Sequence, residues 1–165
     1  MTTERIGPPV TGDERTMLRA FLDYHRATLA LKCDGLTDEQ LRLRSMPPST
    51  LTLLGLVRHM AEVERTWFRR VINGEDIPLV WSDSGDYQQA YDPTGSTRAE
   101  AFDAWQREVE HSRRIERDAE SLDVTGYRDA GQCSALRAGV KARVGGPPRL
   151  GRVLGWSVLL LDVLA

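Results

Sequence analysis

A single histidine, His59, stands in the segment 51–72, LTLLGLVRHMAEVERTWFRRVI, beside apolar residues that recur every three or four positions. An imidazole placed there can ligate a divalent metal or be satisfied by a hydrogen bond. An isolated helical histidine is more often a satisfied boundary residue than a ligand, so His59 needs support from its surroundings. Glu62 and Glu64 lie about one turn further on and can orient the imidazole or add a ligand. With Arg58 and Arg65 as neighbours, their plainer reading is solvent exposure and ion pairing. His25 falls in the apolar rhythm of an earlier segment and reads as a core or boundary histidine, while His111 sits on a solvated face among Glu108, Glu110, Arg113 and Arg114. Cys33 follows Lys32, whose charge can lower a thiol pKa, though a structural, partly buried thiol is the plainer reading. Nothing in the spacing of Cys33 and Cys133 makes them a metal pair.

The elements that must position these groups are helical. Gly12-Asp13 opens a helix over 13–32 whose stripe is Met17, Leu18, Phe21, Leu22, His25 and Leu29, and Gly35 stops it. Thr37 and Gln40 form a capping box for a short turn over 38–43, and Pro47-Pro48 must lie outside any helix. Thr50 or Thr52 caps the helix carrying His59, with the stripe Leu53, Leu56/Val57, Met60, Val63/Glu64, Trp67/Phe68 and Val71 and a close at Asn73-Gly74. Residues 75–95 hold two prolines, two glycines and the aromatics Trp81, Tyr87 and Tyr91, which predicts a long connection with a lid or dimer role. Ser96-Thr97 with Glu100 caps a third long helix ending near Ser121, its stripe running through Ala101/Phe102, Trp105, Val109, Ser112, Ile115/Glu116 and Ala119. Trp67 and Trp105 are expected in the core. From Gly131 to Gly155 glycine, proline and basic residues oppose a long helix, and an apolar terminal helix is expected from about Val153 to Leu164.

Composition narrows the function classes. A chain of 165 residues with 41% hydrophobic and 28% charged residues reads as a globular domain, 12–165, behind an N-terminal arm, 1–11. A net charge of −2 gives no overall attraction to nucleic acid or to an anionic membrane. The basic stretch after Ala130 lacks the interleaved aromatics of a nucleic-acid surface. No apolar run reaches the ~20 residues that span a bilayer. Two cysteines form no disulfide framework, and MTTERIGPPVTGDER lacks the apolar heart of a signal peptide, so a cytoplasmic protein is expected.

LALKCDGL at 29–36, LTLLGLVRHMAEVE at 51–64 and Trp67-Phe68 stand in an order that resembles the DinB superfamily, over about Gly12 to Asp123. Its actinobacterial members, related to the mycothiol-dependent maleylpyruvate isomerase, are the nearest in pattern. The resemblance implies an all-α, DinB-like four-helix bundle with an up-down-down-up connection, forming a homodimer. It also implies a divalent metal, zinc or nickel, held by a second-helix histidine that maps onto His59 and by an HxxxH pair on the fourth helix. Relatives use that metal to activate a low-molecular-weight thiol such as mycothiol for S-transfer or isomerisation, because a metal lowers a thiol's pKa. The implied partners are a small thiol and an electrophile. A non-catalytic bundle dimer, or a small-molecule binding protein using the loop aromatics, is the alternative.

The chain departs from that pattern after its third long helix. Its three histidines are His25, His59 and His111, so no HxxxH pair follows and the fourth helix is expected to be altered or incomplete. From Cys133 onward the residues are mainly those that out-of-frame translation of a GC-rich gene produces, which predicts that the family pattern breaks near Tyr127 to Gly131. Reading the gene in all three frames across codons 125–165 tests this. A histidine pair in another frame is the expected result, and an uninterrupted frame with no such pair anywhere overturns it.

Overall fold

The computed structural model describes residues 4–45, 47–126 and 149–154. Helix α1 spans Glu14–Lys32, with Asp13 as its cap accepting from the Thr16 amide at 3.0 Å, and Gly35 turns the chain away with φ +70°. The short α2, Asp38–Leu41, carries the expected Thr37/Gln40 capping box. Helix α3, Leu53–Glu64, is capped by Thr52. Helix α4, Arg98–Asp118, starts on the capping box of Thr97 and Glu100. No strand is formed among the described residues, and a lone antiparallel bridge joins Thr125 to Arg149. The architecture is all-α. Residues 1–3, 127–148 and 155–165 lie outside the described part, and with them Cys133 and most of the expected terminal helix.

Two expectations are corrected in the second long helix. It does not run as an α-helix to residue 72: from Arg65 to Ile72 it widens into a π-helix, closed by the Asn73 amide on the Phe68 carbonyl at 2.9 Å. The local sequence RTWFRRVI has no glycine or proline to mark the change, so tertiary contacts set it. Nor does α3 bury one stripe and expose another. Leu54, Val57, Met60, Ala61 and Val63 are buried, and so are Arg58, Glu62 and Glu64. The reason is that other elements cover its polar side.

Ion pairs tie α3 to its neighbours. Arg26 of α1 grips Glu64 with two parallel bonds, Nε to Oε1 at 2.8 Å and Nη2 to Oε2 at 2.7 Å, both side chains being buried. Arg65 and Arg69 converge on the buried Glu108 of α4, the shorter contact being 2.6 Å. Arg19 clamps Glu116 in the same bidentate way, and Arg15 donates to the Glu116 and Ala119 carbonyls at the α4 C-terminus. The apolar core between them contains Leu22, Leu29, Leu41, Phe68, Ile72, Phe102 and Trp105. Phe21, expected in the α1 stripe, is 37% exposed, because the stripe's inward positions are filled by Leu22, His25, Arg26 and Leu29.

The chain after α4 returns to the core. Leu150, Val153 and Leu154 are buried in a helical stretch over 150–154, three residues earlier than expected, held by the Leu150 amide on the Val124 carbonyl at 2.9 Å. At Gly126 a Cβ would stand 2.6 Å from the Val71 carbonyl oxygen, so this crossing requires glycine. The N-terminal residues lie along α1, with Arg5 over the Tyr24 ring at 4.8 Å.

The buried Arg26–Glu64 pair gives a direct test. Arg26→Met should cost roughly 3–5 kcal/mol in urea unfolding, because it strands Glu64 without its cation, while Arg26→Met with Glu64→Leu should recover most of that loss. A single variant as stable as the parent would show that the pair does not hold α1 to α3.

Candidate functional site

Helix α3 presents Gly55, Arg58, His59 and Glu62 to the connection 73–97, a spacing of three and four residues that places them on one side of a helix. At Gly55 the approach is closest: a Cβ there would lie 2.5 Å from the Tyr91 carbonyl oxygen, so only glycine lets the connection lie flat on the helix. One turn later Arg58 donates to the Gln89 carbonyl at 3.0 Å, the Ala90 carbonyl at 3.2 Å and the Ser96 hydroxyl. Its guanidinium stacks 4.0 Å over the Trp81 ring, and the indole Nε1–H of Trp81 returns a bond to the Arg58 carbonyl at 2.8 Å. No carboxylate pairs with Arg58 among the described residues, and burial lowers its pKa.

Glu62 mirrors this arrangement with the opposite charge. It is 2% exposed and accepts from the Val80 amide at 2.9 Å and the Trp81 amide at 3.3 Å. Burial raises its pKa, opposed by those amide bonds and by the charges of Arg65 and Arg70. The expected exposure of Glu62 and Glu64, with pairing to Arg65 or Arg58, is therefore corrected. Glu62 serves the connection's backbone, and Glu64, 1% exposed, serves Arg26 of α1.

His59 lies between these two anchors. Tyr91 stacks on its ring with centroids 4.3 Å apart and planes 21° from parallel. Its Nδ1 is buried and has no hydrogen-bond partner. Burial pushes its pKa down to about 4, so the imidazole is neutral at physiological pH. A neutral ring with one bare nitrogen can ligate a metal or accept a hydrogen bond.

The other candidate residues lie elsewhere. His25 is buried on α1, as expected for a core position, and His111 is half-buried on α4 among Asp103, Arg107, Glu110 and Arg114. Cys33 is fully buried rather than partly so, and burial pushes its thiol up to about 11. Lys32 does not activate it. Trp105 is in the core and Trp67 packs partly buried against it, as expected. Of the loop aromatics, Trp81 and Tyr91 are occupied by Arg58 and His59, while Tyr87 lines a polar recess of about 470 Å³ with Arg70, Asp76, Ser82 and Asp83. Sequence reasoning named Glu62 as a group that can orient His59 and Tyr91 as one with a lid or dimer role, but missed Arg58 and the way the three together build the environment of His59. The available signal was a pair of opposite charges one turn apart, on either side of the histidine.

No group of three His, Cys, Asp or Glu side chains that could hold a metal ion occurs among the described residues. The nearby carboxylates are committed: Glu62 to two amides, Glu64 to Arg26 and Glu108 to Arg65 and Arg69. His59 is thus a single donor, and the described residues do not fit a three-nitrogen centre by themselves. No helix among the described residues is long and apolar enough to cross a membrane.

The family described as mycothiol-S-transferase matches the chain over residues 17–140, about three quarters of its length. The match continues past Gly131 to residue 140. No curated protein and no solved structure matches the chain.

The half-buried imidazole of His59 sets a pH dependence. The folded pKa of about 4 lies below the ordinary value of 6.5, so the unfolded chain takes up a proton first as pH falls. Stability from this group is intact above pH 6.5 and should decline between 6.5 and 4, by at most about 3 kcal/mol. Urea unfolding of chelator-treated protein across that range, compared with His59→Gln, should show the decline only in the parent. Parallel curves for the two proteins would disprove it.

Proposed function

This chain belongs to the mycothiol-S-transferase family, and from that premise we propose that it handles a low-molecular-weight thiol of the mycothiol type, transferring its sulfur to a small electrophile at His59. The family match supports the thiol chemistry, and the bare, buried Nδ1 of His59 is the single observation that supports His59 as the site. The reactive form of such a thiol is the thiolate. Proton transfer from a thiol of ordinary pKa ~8.5 to an imidazole of pKa about 4 is uphill by roughly 6 kcal/mol, so His59 is unsuited to be the general base. A ligand's role suits it better, since a neutral imidazole offers its lone pair without first losing a proton.

Zinc or nickel, when bound, would lower the thiol pKa, and His59 is the nitrogen that this chain offers to such an ion. A catalytic zinc takes about three protein ligands. The described donor set falls short of that, so no step is drawn through the ion. The residues around His59 contribute in other ways: Tyr91 shields one face of the ring from water, and Arg58 and Glu62 fix the segment that carries Tyr91. We further propose a cytoplasmic homodimer.

The shortage of donors favours one second reading, a bundle of the same family that has lost catalysis and acts through dimerisation or by binding a small molecule in the recess beside Tyr87. Metal content and thiol transfer separate the two. The first reading expects stoichiometric zinc or nickel, transfer from mycothiol to an electrophile, and loss of both in His59→Ala. Metal-free protein, folded and dimeric by sedimentation but silent across a panel of thiol acceptors, would establish the second.

A further inference from the structure

We infer that Arg58 and Glu62 are positioning residues which seat the segment 80–96 as a strap on α3 and hold Tyr91 over the His59 ring, so that a ligand reaches the buried Nδ1 of His59 only when the strap lifts. The inference rests on the reading of His59 as the site and concerns access to it.

Three independent contacts define the strap. Glu62 holds its beginning through the Val80 and Trp81 amides. Arg58 holds its end through the Gln89 and Ala90 carbonyls and the Ser96 hydroxyl. Gly55 removes the side chain that would otherwise meet the Tyr91 backbone. Both charges are buried, and neither has an opposite charge within ion-pair distance among the described residues; each is spent on strap groups instead. That is an expensive arrangement for packing alone, since burying a charge without a counter-ion is costly unless polar groups replace its hydration. Here the replacing groups all belong to one element, a connection without regular structure apart from one 3-10 turn over Tyr87–Tyr91. When the strap leaves, both charges regain water, so the opening that uncovers His59 Nδ1 is assisted by the hydration of Arg58 and Glu62. A strap held by apolar contacts would lack that compensation.

The three histidines of the chain make the test internally controlled. Diethyl pyrocarbonate acylates accessible neutral imidazoles, and peptide mass spectrometry reads each site separately. His59, half-buried beneath Tyr91, reports on the strap, buried His25 on general loosening and His111, half-buried with no strap over it, on reagent strength. With metal removed by chelation, Glu62→Ala should raise the His59 rate relative to His111 by at least about tenfold, the factor expected when a charge-assisted hydrogen bond is lost from a local opening equilibrium. His25 should stay protected, and Glu62→Gln, which keeps an acceptor, should restore part of the parent's protection. Gly55→Ala should lift the strap from the other end and give the same selective rise. If a variant fails to fold, hydrogen exchange on the parent decides: the Val80 and Trp81 amides should open independently of denaturant, below the cost of global unfolding. An unchanged His59 rate in folded Glu62→Ala and Gly55→Ala would overturn the inference. So would His25 rising in step with His59, or Val80 and Trp81 exchanging only by global unfolding. The readout needs neither metal nor thiol, so a failure of the transfer reading would leave it standing.

Discussion

Helix α3 buries both apolar and charged residues, and a helix so placed must find a partner for each charge it buries. Together with the first residue of the π-helix that continues it, it takes four such charges into or beside the interior: Arg58, Glu62, Glu64 and Arg65. Three different pieces of the chain satisfy them. Glu64 binds Arg26 on α1, Arg65 shares Glu108 of α4 with Arg69, and Arg58 and Glu62 take backbone groups from the strap. The apolar core supplies the bulk of the driving force, since hydrophobic burial is nondirectional. The charges supply direction. They dictate which element lies against which face, because every wrong arrangement would leave a buried charge unpaired.

The same constraint shapes the surroundings of His59. Arg58 and Glu62 flank it on the helix, and by recruiting the strap they place Tyr91 on the imidazole. The consequence is a ring kept neutral by burial, with one nitrogen turned to a dry interior and without a partner. This is a suitable state for a ligand and a poor one for a base. Membership of the mycothiol-S-transferase family gives the thiol context, and the histidine count of the chain limits how much of a three-histidine centre it can build.

Capping chemistry made most of the helix boundaries legible in advance. Asp13, Thr37 with Gln40, Thr52, and Thr97 with Glu100 all cap where their side chains predict, because a cap is a contact between residues two or three positions apart. The widening of the helix at Arg65 and the burial of Glu62 and Glu64 were not legible. Periodicity assigns a charged residue to the solvated face, and only the arrival of a distant segment reverses that assignment. The fate of Cys33 is similar: Lys32 stands next to it in sequence, yet the thiol is buried among core residues and the local charge does not reach it.

By itself the sequence determined the helical class, the starts of the long helices, the presence of a long aromatic-bearing connection and the family to which His59 points. These depend on spacing along the chain and on local hydrogen bonds, which act over a few residues. The tertiary structure decided which charges are buried, that the connection lies as a strap on α3, that Tyr91 faces His59, and hence the protonation state of that ring. Those outcomes depend on contacts between residues 18 to 38 positions apart, such as Glu62 with Val80 and Arg26 with Glu64, and on desolvation by whatever lies across the interface. No local pattern encodes them, because the free energy of a buried charge is set by the groups that surround it in space.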